Sequence, residues 1–304
     1  MLSDEFSIKD LGELKYYLGI EIIHDKANRT ITLSQRNYID AILERFHMVD
    51  AHGKHVPIPA GTEFHNISTE LDRSKVEEIP YRSAVGSLLY LAICTRPDIS
   101  TPVSKLSKYI VNFSLDHWTL MKGTIRYLKE TRDLGLVFKQ GGVNLLTAYA
   151  DASYADPEEN RRSTTGFMLF HGDNLISWAT YTQPSIARST AEAEYCAMSD
   201  CAQEVVWMRR LFEELGNELL EPTKMFEDNQ GCIALAYNPV HHKRMKHIDV
   251  KYHFLREQVM RQICELIYCP TEDMRADILT KILPRRQYEV LRSLLGLAPI
   301  AGRK

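Results

Sequence analysis

The chain has 304 residues, with 37 Lys and Arg against 40 Asp and Glu for a formal net charge of -3. Hydrophobic residues at 44% and charged ones at 25% match the usage of folded domains, which excludes a disordered chain and supplies apolar surface for about two cores. No apolar run approaches the roughly 20 residues of a membrane span, and Met1-Leu2-Ser3-Asp4-Glu5 has neither a basic nor an apolar leader. The expectation is an intracellular protein in a reducing compartment with no membrane partner.

In chain order, Tyr16 to His24 and Thr30 to Leu33 are β-rich runs around the turn Asp25-Lys26-Ala27-Asn28-Arg29, which predicts a hairpin. Ser34 can cap a helix with Tyr38, Ile39, Ile42, Leu43 and Phe46 on one face. A loop rich in Pro, Gly and His runs from Asp50 to about Pro80. Helical patterning then continues to about Arg132 in three pieces. Pro97 stops the first, Asp98 can cap the second, and a break near Leu115 and Asp116 starts the third. Gly135 to Phe138 reads as a short strand. Lys139-Gln140-Gly141-Gly142 is the expected junction between a domain of residues 1–140 and one of residues 141–304.

Beyond the junction, Leu145 to Tyr154, Ser163 to Phe170 and Leu175 to Tyr181 read as an antiparallel meander. A helix follows from Thr190 to about Leu215, with Ala191, Tyr195, Met198, Ala202, Val205, Phe212 and Leu215 close to a 3.6-residue period. Lys224 to Glu227 and Glu265 to Cys269 read as further strands. Gln230 to Tyr237, His247 to Gln262 and Met274 to Leu283 read as helices. The second half is thus expected to be α/β, a mixed five-stranded sheet with helices on its faces. The six cysteines form no C-x-x-C pair and have no zinc-ligand spacing with His, so they read as small apolar residues.

Four carboxylates stand where a hard cation could be held: Asp151 inside the first strand of the meander, Glu194 early in the long helix, Asp228 after the fourth strand, and Asp277 in the last helix. Such groups repel one another unless a cation sits between them, and Mg²⁺ prefers oxygen ligands. Asp151 is flanked by small apolar residues, where a charge is costly unless paired. Asp228 could instead be a simple N-cap, and Asp277 a residue favoured by its helix dipole. Ser189-Thr190-Ala191-Glu192 matches a capping box, which gives Glu192 a structural task. Glu194 lies nearer the apolar stripe, only about 50° from its centre against about 110° for Glu192, so it is the one assigned to the site.

The segments Tyr149-Ala150-Asp151-Ala152-Ser153-Tyr154-Ala155-Asp156, Arg162 to Phe167, Ser189 to Tyr195, Glu227-Asp228-Asn229-Gln230, Lys246 to Asp249 and Ala276 to Lys281 together resemble the ribonuclease H domain of copia-type LTR retrotransposon Pol polyproteins. The first half is similar to the end of that family's reverse transcriptase, through Ile8 to Ile22, Val85 to Leu91, Thr95 to Ile99 and Ile125 to Lys129. The resemblance implies a ribonuclease H-like five-stranded mixed sheet with flanking helices. Before it would come an α+β remnant of the polymerase palm end and connection. Fingers and most of the palm would be missing. The chain holds no Asp-Asp dipeptide, the palm motif of a polymerase, which by the resemblance would lie upstream of Met1. No polymerase activity is therefore expected.

By the same resemblance, Asp151, Glu194, Asp228 and Asp277 are the catalytic metal ligands. The implied reaction is hydrolysis of the RNA strand of an RNA–DNA hybrid by two Mg²⁺ ions, or Mn²⁺, about 3.5 to 4 Å apart. The implied partners are the hybrid and the missing upstream Pol regions. Thr190 and Gln230 are candidates to read 2′-hydroxyls across the minor groove, with helix capping as the plain alternative. Lys243, Arg244, Lys246 and Lys251 belong to a run with six basic residues against Asp249 and Glu257, which could follow the DNA backbone or simply form a solvated helix face. His241, His242, His247 and His253 have no partner completing a tetrahedral zinc set at usual spacing. Some relatives of the fold place a His in the loop before the last acidic segment, and Pro270-Thr271-Glu272-Asp273 has none.

Overall fold

The first hairpin forms where the residue alternation puts it. In the computed structural model, which describes residues 9, 12–64, 77–155, 161–237 and 249–300, β1 (Tyr16–Tyr17), β2 (Ile20–Asp25) and β3 (Thr30–Ser34) run antiparallel. The Asp25 carboxylate accepts from the backbone and side-chain amides of Asn28 at 3.0 and 2.7 Å, closing the turn. Helix α1 (Arg36–Arg45) buries Ile39, Ile42 and Leu43. Its N-cap is Gln35 rather than Ser34, whose hydroxyl accepts from the Arg36 amide at 3.2 Å.

Helices α2 (Tyr81–Cys94), α3 (Ser100–Ser107) and α4 (Leu115–Glu130) follow. Pro97 opens a 3-10 turn, Pro97–Ile99, because its ring and missing N–H cannot continue a helix. Ser114 caps α4: its hydroxyl accepts from the His117 amide, and His117 Nδ1 accepts from the Ser114 amide at 3.0 Å. Asp98 does not cap α3 as expected. It is fully buried, and its carboxylate receives Arg96 Nε and Nη2 at 2.9 and 2.8 Å together with the Tyr127 hydroxyl. A guanidinium only 1% exposed requires a carboxylate, and that demand outweighs a local cap.

Strand β4 (Leu134–Lys139) joins β3, and the chain passes through Gly141 and Gly142, at φ +104° and +105°, into a second sheet. There β5 (Leu146–Ser153), β6 (Thr164–His171) and β7 (Asn174–Thr182) form the expected meander. After α5 (Thr190–Glu214), β8 (Thr223–Glu227) adds parallel to β5. After α6 (Gln230–Tyr237) and α7 (Asp249–Met260), β9 (Cys264–Tyr268) adds parallel to β8. The resulting order, β7-β6-β5-β8-β9, is the mixed five-stranded sheet anticipated from the sequence.

The sheet's two faces serve different cores. Ala148, Ala150, Ala152 and Leu169 pack with Met198, Ala202, Val205 and Leu255 under the helices. Their period of two along β5 leaves Tyr149 and Asp151 pointing the other way. On that side Met168, Phe170 and Leu175 share one core with Ile39, Leu88, Leu91 and Ile125 of the first half.

The predicted helix from Met274 to Leu283 is absent. Arg275–Leu279 is a 3-10 turn, and the last helix, α8 (Arg285–Leu294), begins only after Pro284, which disfavours helical backbone at the residue before it. An unforeseen strand, β10 (Leu297–Pro299), then returns to the first sheet and pairs antiparallel with β4, giving β1-β2-β3-β4-β10. All six cysteines are free. No helix among the described residues is long and apolar enough to cross a membrane.

Candidate metal centre

Asp151 is 1% exposed in the middle of β6, β5 and β8, and lies opposite Gly166 in the β5–β6 register. Gly166 has a steric task. A Cβ there would lie 2.6 Å from Thr280 Cγ2 and 2.8 Å from Leu279 Cβ. Its absence lets the segment after Asp277 lie against the strand pair. The Thr280 hydroxyl thereby donates to Asp151 Oδ2, and Lys281 Nζ reaches Asp151 Oδ1 at 3.1 Å.

Glu194 arrives from α5, whose start is fixed by Ser189: its hydroxyl accepts from the Glu192 amide at 3.2 Å. Glu192 is buried at that start and accepts from the Arg188 amide at 3.1 Å, so it serves the helix entry, one residue outside the expected box. Glu194, two residues on, is 3% exposed, and its Oε2 is buried without a hydrogen-bond partner among the described residues. Asp228 follows β8. The capping alternative falls to Asn229, whose Oδ1 accepts from the Cys232 amide at 3.0 Å. Asp228 is left facing the site, where Oδ2 accepts from the Thr271 hydroxyl at 2.9 Å.

Asp151, Glu194 and Asp228 each bring one carboxylate oxygen to within 4.8 Å of the others. Asp277 is not a member of this triad. It sits beside it, tied to Asp151 through Lys281, whose Nζ lies 2.6 Å from Asp277 Oδ1. Burial raises the Asp151 pKa against the pull of Lys281. Glu194 is pushed well above the usual carboxylate range by burial and then by Glu227, Asp151 and Asp228. Glu227 is completely buried, has an Oε2 without a partner, and is likewise pushed well up by burial. Asp277 rises to about 6 through burial and the charge of Asp151. Burial works against the Lys281 ammonium, yet Asp151 and Asp277 hold its pKa above the usual lysine value.

Closely spaced, poorly solvated carboxylates with an orphaned oxygen are costly unless protonated or neutralised by a cation. An all-oxygen donor set suits a hard divalent ion. These residues fit one. They open on a cleft of about 470 Å³ lined by Ser153, Tyr154, Thr190, Glu194, Asp228, Asn229, Gln230 and Lys281. Thr190 and Gln230 therefore stand where a substrate could be read. Lys251 lies elsewhere, its Nζ 2.5 Å from Asp200, which also accepts from the Tyr181 hydroxyl at 2.8 Å. Lys243, Arg244 and Lys246 lie outside the described residues, as do His241, His242 and His247. Reading the sequence overlooked Lys281, Thr280, Thr271 and Glu227. The signal for Lys281 was an acid and a lysine four apart; nothing local marked the others.

Residues 1–60 match the family model described as reverse transcriptase (RNA-dependent DNA polymerase). The chain is 36% identical over 299 residues to the retrovirus-related Pol polyprotein from transposon TNT 1-94 of Nicotiana tabacum, covering 97% of this chain and 22% of that one. It is 38% identical over 303 residues to the corresponding polyprotein from transposon RE2 of Arabidopsis thaliana, covering 98% and 20%. The chain belongs to the copia-type Pol polyprotein family.

This Pol chain spans about a fifth of the length of those relatives. Its second sheet, with three antiparallel strands extended by two parallel ones, has the ribonuclease H-like arrangement that the sequence implied. Among solved structures it is similar to an RNase H1 isolated from compost, with TM-score 0.35 and 15% identity, covering 45% of this chain and 94% of that one.

Proposed function

We propose that this Pol chain hydrolyses the RNA strand of RNA–DNA hybrids at the cleft beside β5, with Mg²⁺ or Mn²⁺ as cofactor, as one part of a longer polyprotein. The observation that carries the reading is the convergence of one carboxylate oxygen each from Asp151, Glu194 and Asp228 within 4.8 Å, with a buried Glu194 oxygen that has no hydrogen-bond partner among the described residues. Bound divalent ions would supply the activation of water and the stabilisation of charge on phosphorus and the leaving oxygen. Asp151, Glu194 and Asp228 would hold the cation, with Asp277 as a fourth, buried carboxylate beside them. Thr190 and Gln230, which line the cleft, would meet the sugar edge of the hybrid, and Lys243, Arg244 and Lys246 its phosphates. Residues 1–140 would act as a polymerase-derived body beside the nuclease of residues 141–304. No polymerase activity belongs to the reading.

The test is cleavage of a labelled RNA–DNA hybrid with Mg²⁺. The expected result is loss of the RNA strand by wild type, and at least a hundredfold slower loss in Asp151→Asn, as for removal of a group that stabilises developing charge. Cleavage unchanged by the substitution, or none at all, would reject it. A non-catalytic nucleic-acid-binding or interaction protein is the second reading. It is favoured by one observation: Lys281 already neutralises Asp151 and Asp277 within the chain. It predicts hybrid binding without cleavage.

A further inference from the structure

Lys281 is unusual among the charged groups of the cleft because it spends its charge inward. Its ammonium is 3.1 Å from Asp151 Oδ1 and 2.6 Å from Asp277 Oδ1, while its side chain remains 35% exposed. Asp151 and Asp277 are 1% and 3% exposed, so neither has water to replace that partner. Glu194 presents a buried oxygen without a hydrogen-bond partner among the described residues, and the ammonium contacts the carboxylates of Asp151 and Asp277. The cluster is thus divided: one part is supplied with a cation by the chain, and the other part has none.

We propose that Lys281 occupies a second cation position, between Asp151 and Asp277, so that the resting protein loads one divalent ion at Asp151, Glu194 and Asp228 and a second only when the ammonium is displaced. The inference rests on the metal-dependent reading above. The ammonium and a second divalent ion cannot both stand between Asp151 and Asp277, because their repulsion is poorly screened in so little solvent. A half-buried, flexible four-carbon side chain that lines the cleft, however, allows the ammonium to swing towards it, where an incoming phosphate is a natural partner. Lys281 would then couple arrival of an anionic backbone to completion of the metal site. It is a positioning residue, not a metal ligand.

The test is titration of the full chain with Mn²⁺, reading the free-ion spin-resonance signal without substrate. Wild type is expected to take up one ion, with any second ion bound at least about tenfold more weakly. Lys281→Met should bind the second ion at least about tenfold more tightly than wild type does, and Lys281→Gln should do the same if the methionine variant folds poorly. Metal-free Lys281→Met should also melt lower than wild type and gain more from Mn²⁺. Two ions of equal affinity in wild type, or second-ion affinity unchanged in both variants, would overturn the proposal while leaving the metal centre intact. Wild type and variants that bind no Mn²⁺ at all would instead remove the metal reading itself.

Discussion

At the scale of single residues, the sharpest contrast is between charges the fold encloses and charges it leaves in water. Arg96 and Asp98 form a two-pronged pair at 1% and 0% exposure, joined by the Thr131 hydroxyl and by Tyr127. Asp98→Asn leaves the guanidinium without its counter-charge and should cost about 3 to 5 kcal/mol, as for other broken buried pairs. Urea denaturation would measure it. Glu257→Gln, which breaks the exposed pair with Arg261 at 3.3 Å, should change stability by less than about 0.5 kcal/mol.

His117 makes a second prediction at this scale. Its Nδ1 must be unprotonated to accept from the Ser114 amide, its Nε2 is buried without a partner, and burial lowers its pKa below 6.5. The unfolded chain therefore binds a proton there at a higher pH than the folded one. The neutral ring's contribution is fully present above pH 6.5 and is lost as pH falls below it. His117→Gln keeps a capping acceptor without the titration. Thermal melts from pH 7 to about 5 should show that part of the acid destabilisation in wild type and not in the variant.

At the scale of elements, one missing side chain in β6 decides where the acid-bearing 3-10 turn lies. Gly166→Ala would place a methyl 2.6 Å from Thr280 and 2.8 Å from Leu279. Displacing that segment should cost about 1 to 3 kcal/mol, and should weaken binding of the first Mn²⁺ because the Thr280 hydroxyl orients Asp151 from it. Calorimetry with and without the ion would read both effects. Most elements were legible in the sequence because each carries its own periodicity: the meander by twos, α5 by 3.6, the Pro97 break by its ring. The stretch after Met274 was misread because its apolar residues, Ala276, Ile278 and Leu279, are buried by contacts from outside the segment rather than along one helix face. Thr101 and Thr180 donate to the carbonyls of Ile278 and Leu279, each at 2.8 Å, satisfying groups that a helix would otherwise have paired itself.

At the scale of the whole molecule, the two halves are tied at the C-terminus. The Tyr288 hydroxyl donates to the Asp98 carbonyl at 2.9 Å, and Leu297–Pro299 pairs with Leu134–Leu136. A fragment of residues 141–304 would lose the partners of β10 and of Tyr288 and expose Met168, Phe170 and Leu175, which share a core with the first half. Such a fragment should be cut by protease many times faster than the full chain, with the earliest cuts between Pro284 and its end. Equal resistance would show that residues 141–304 stand alone.

Local pattern by itself marked most of the strands and the long helices and singled out Asp151, while leaving Asp228 and Asp277 open between a site and a helix-end role, because alternation, capping signals and a charge set among small apolar residues are properties of neighbouring residues. It also separated Glu194 from Glu192, since the angle between them follows from helix geometry. What only the tertiary structure decided was how those carboxylates are shared out. Asp151, Glu194 and Asp228 converge, while Asp277 is held aside by Lys281. Asp98 turns inward to Arg96, and the last strand returns to the first sheet. Each of these depends on which buried charge or unpaired edge lies nearest in space, and sequence separations of 130 residues, as between Lys281 and Asp151, carry no local trace of it.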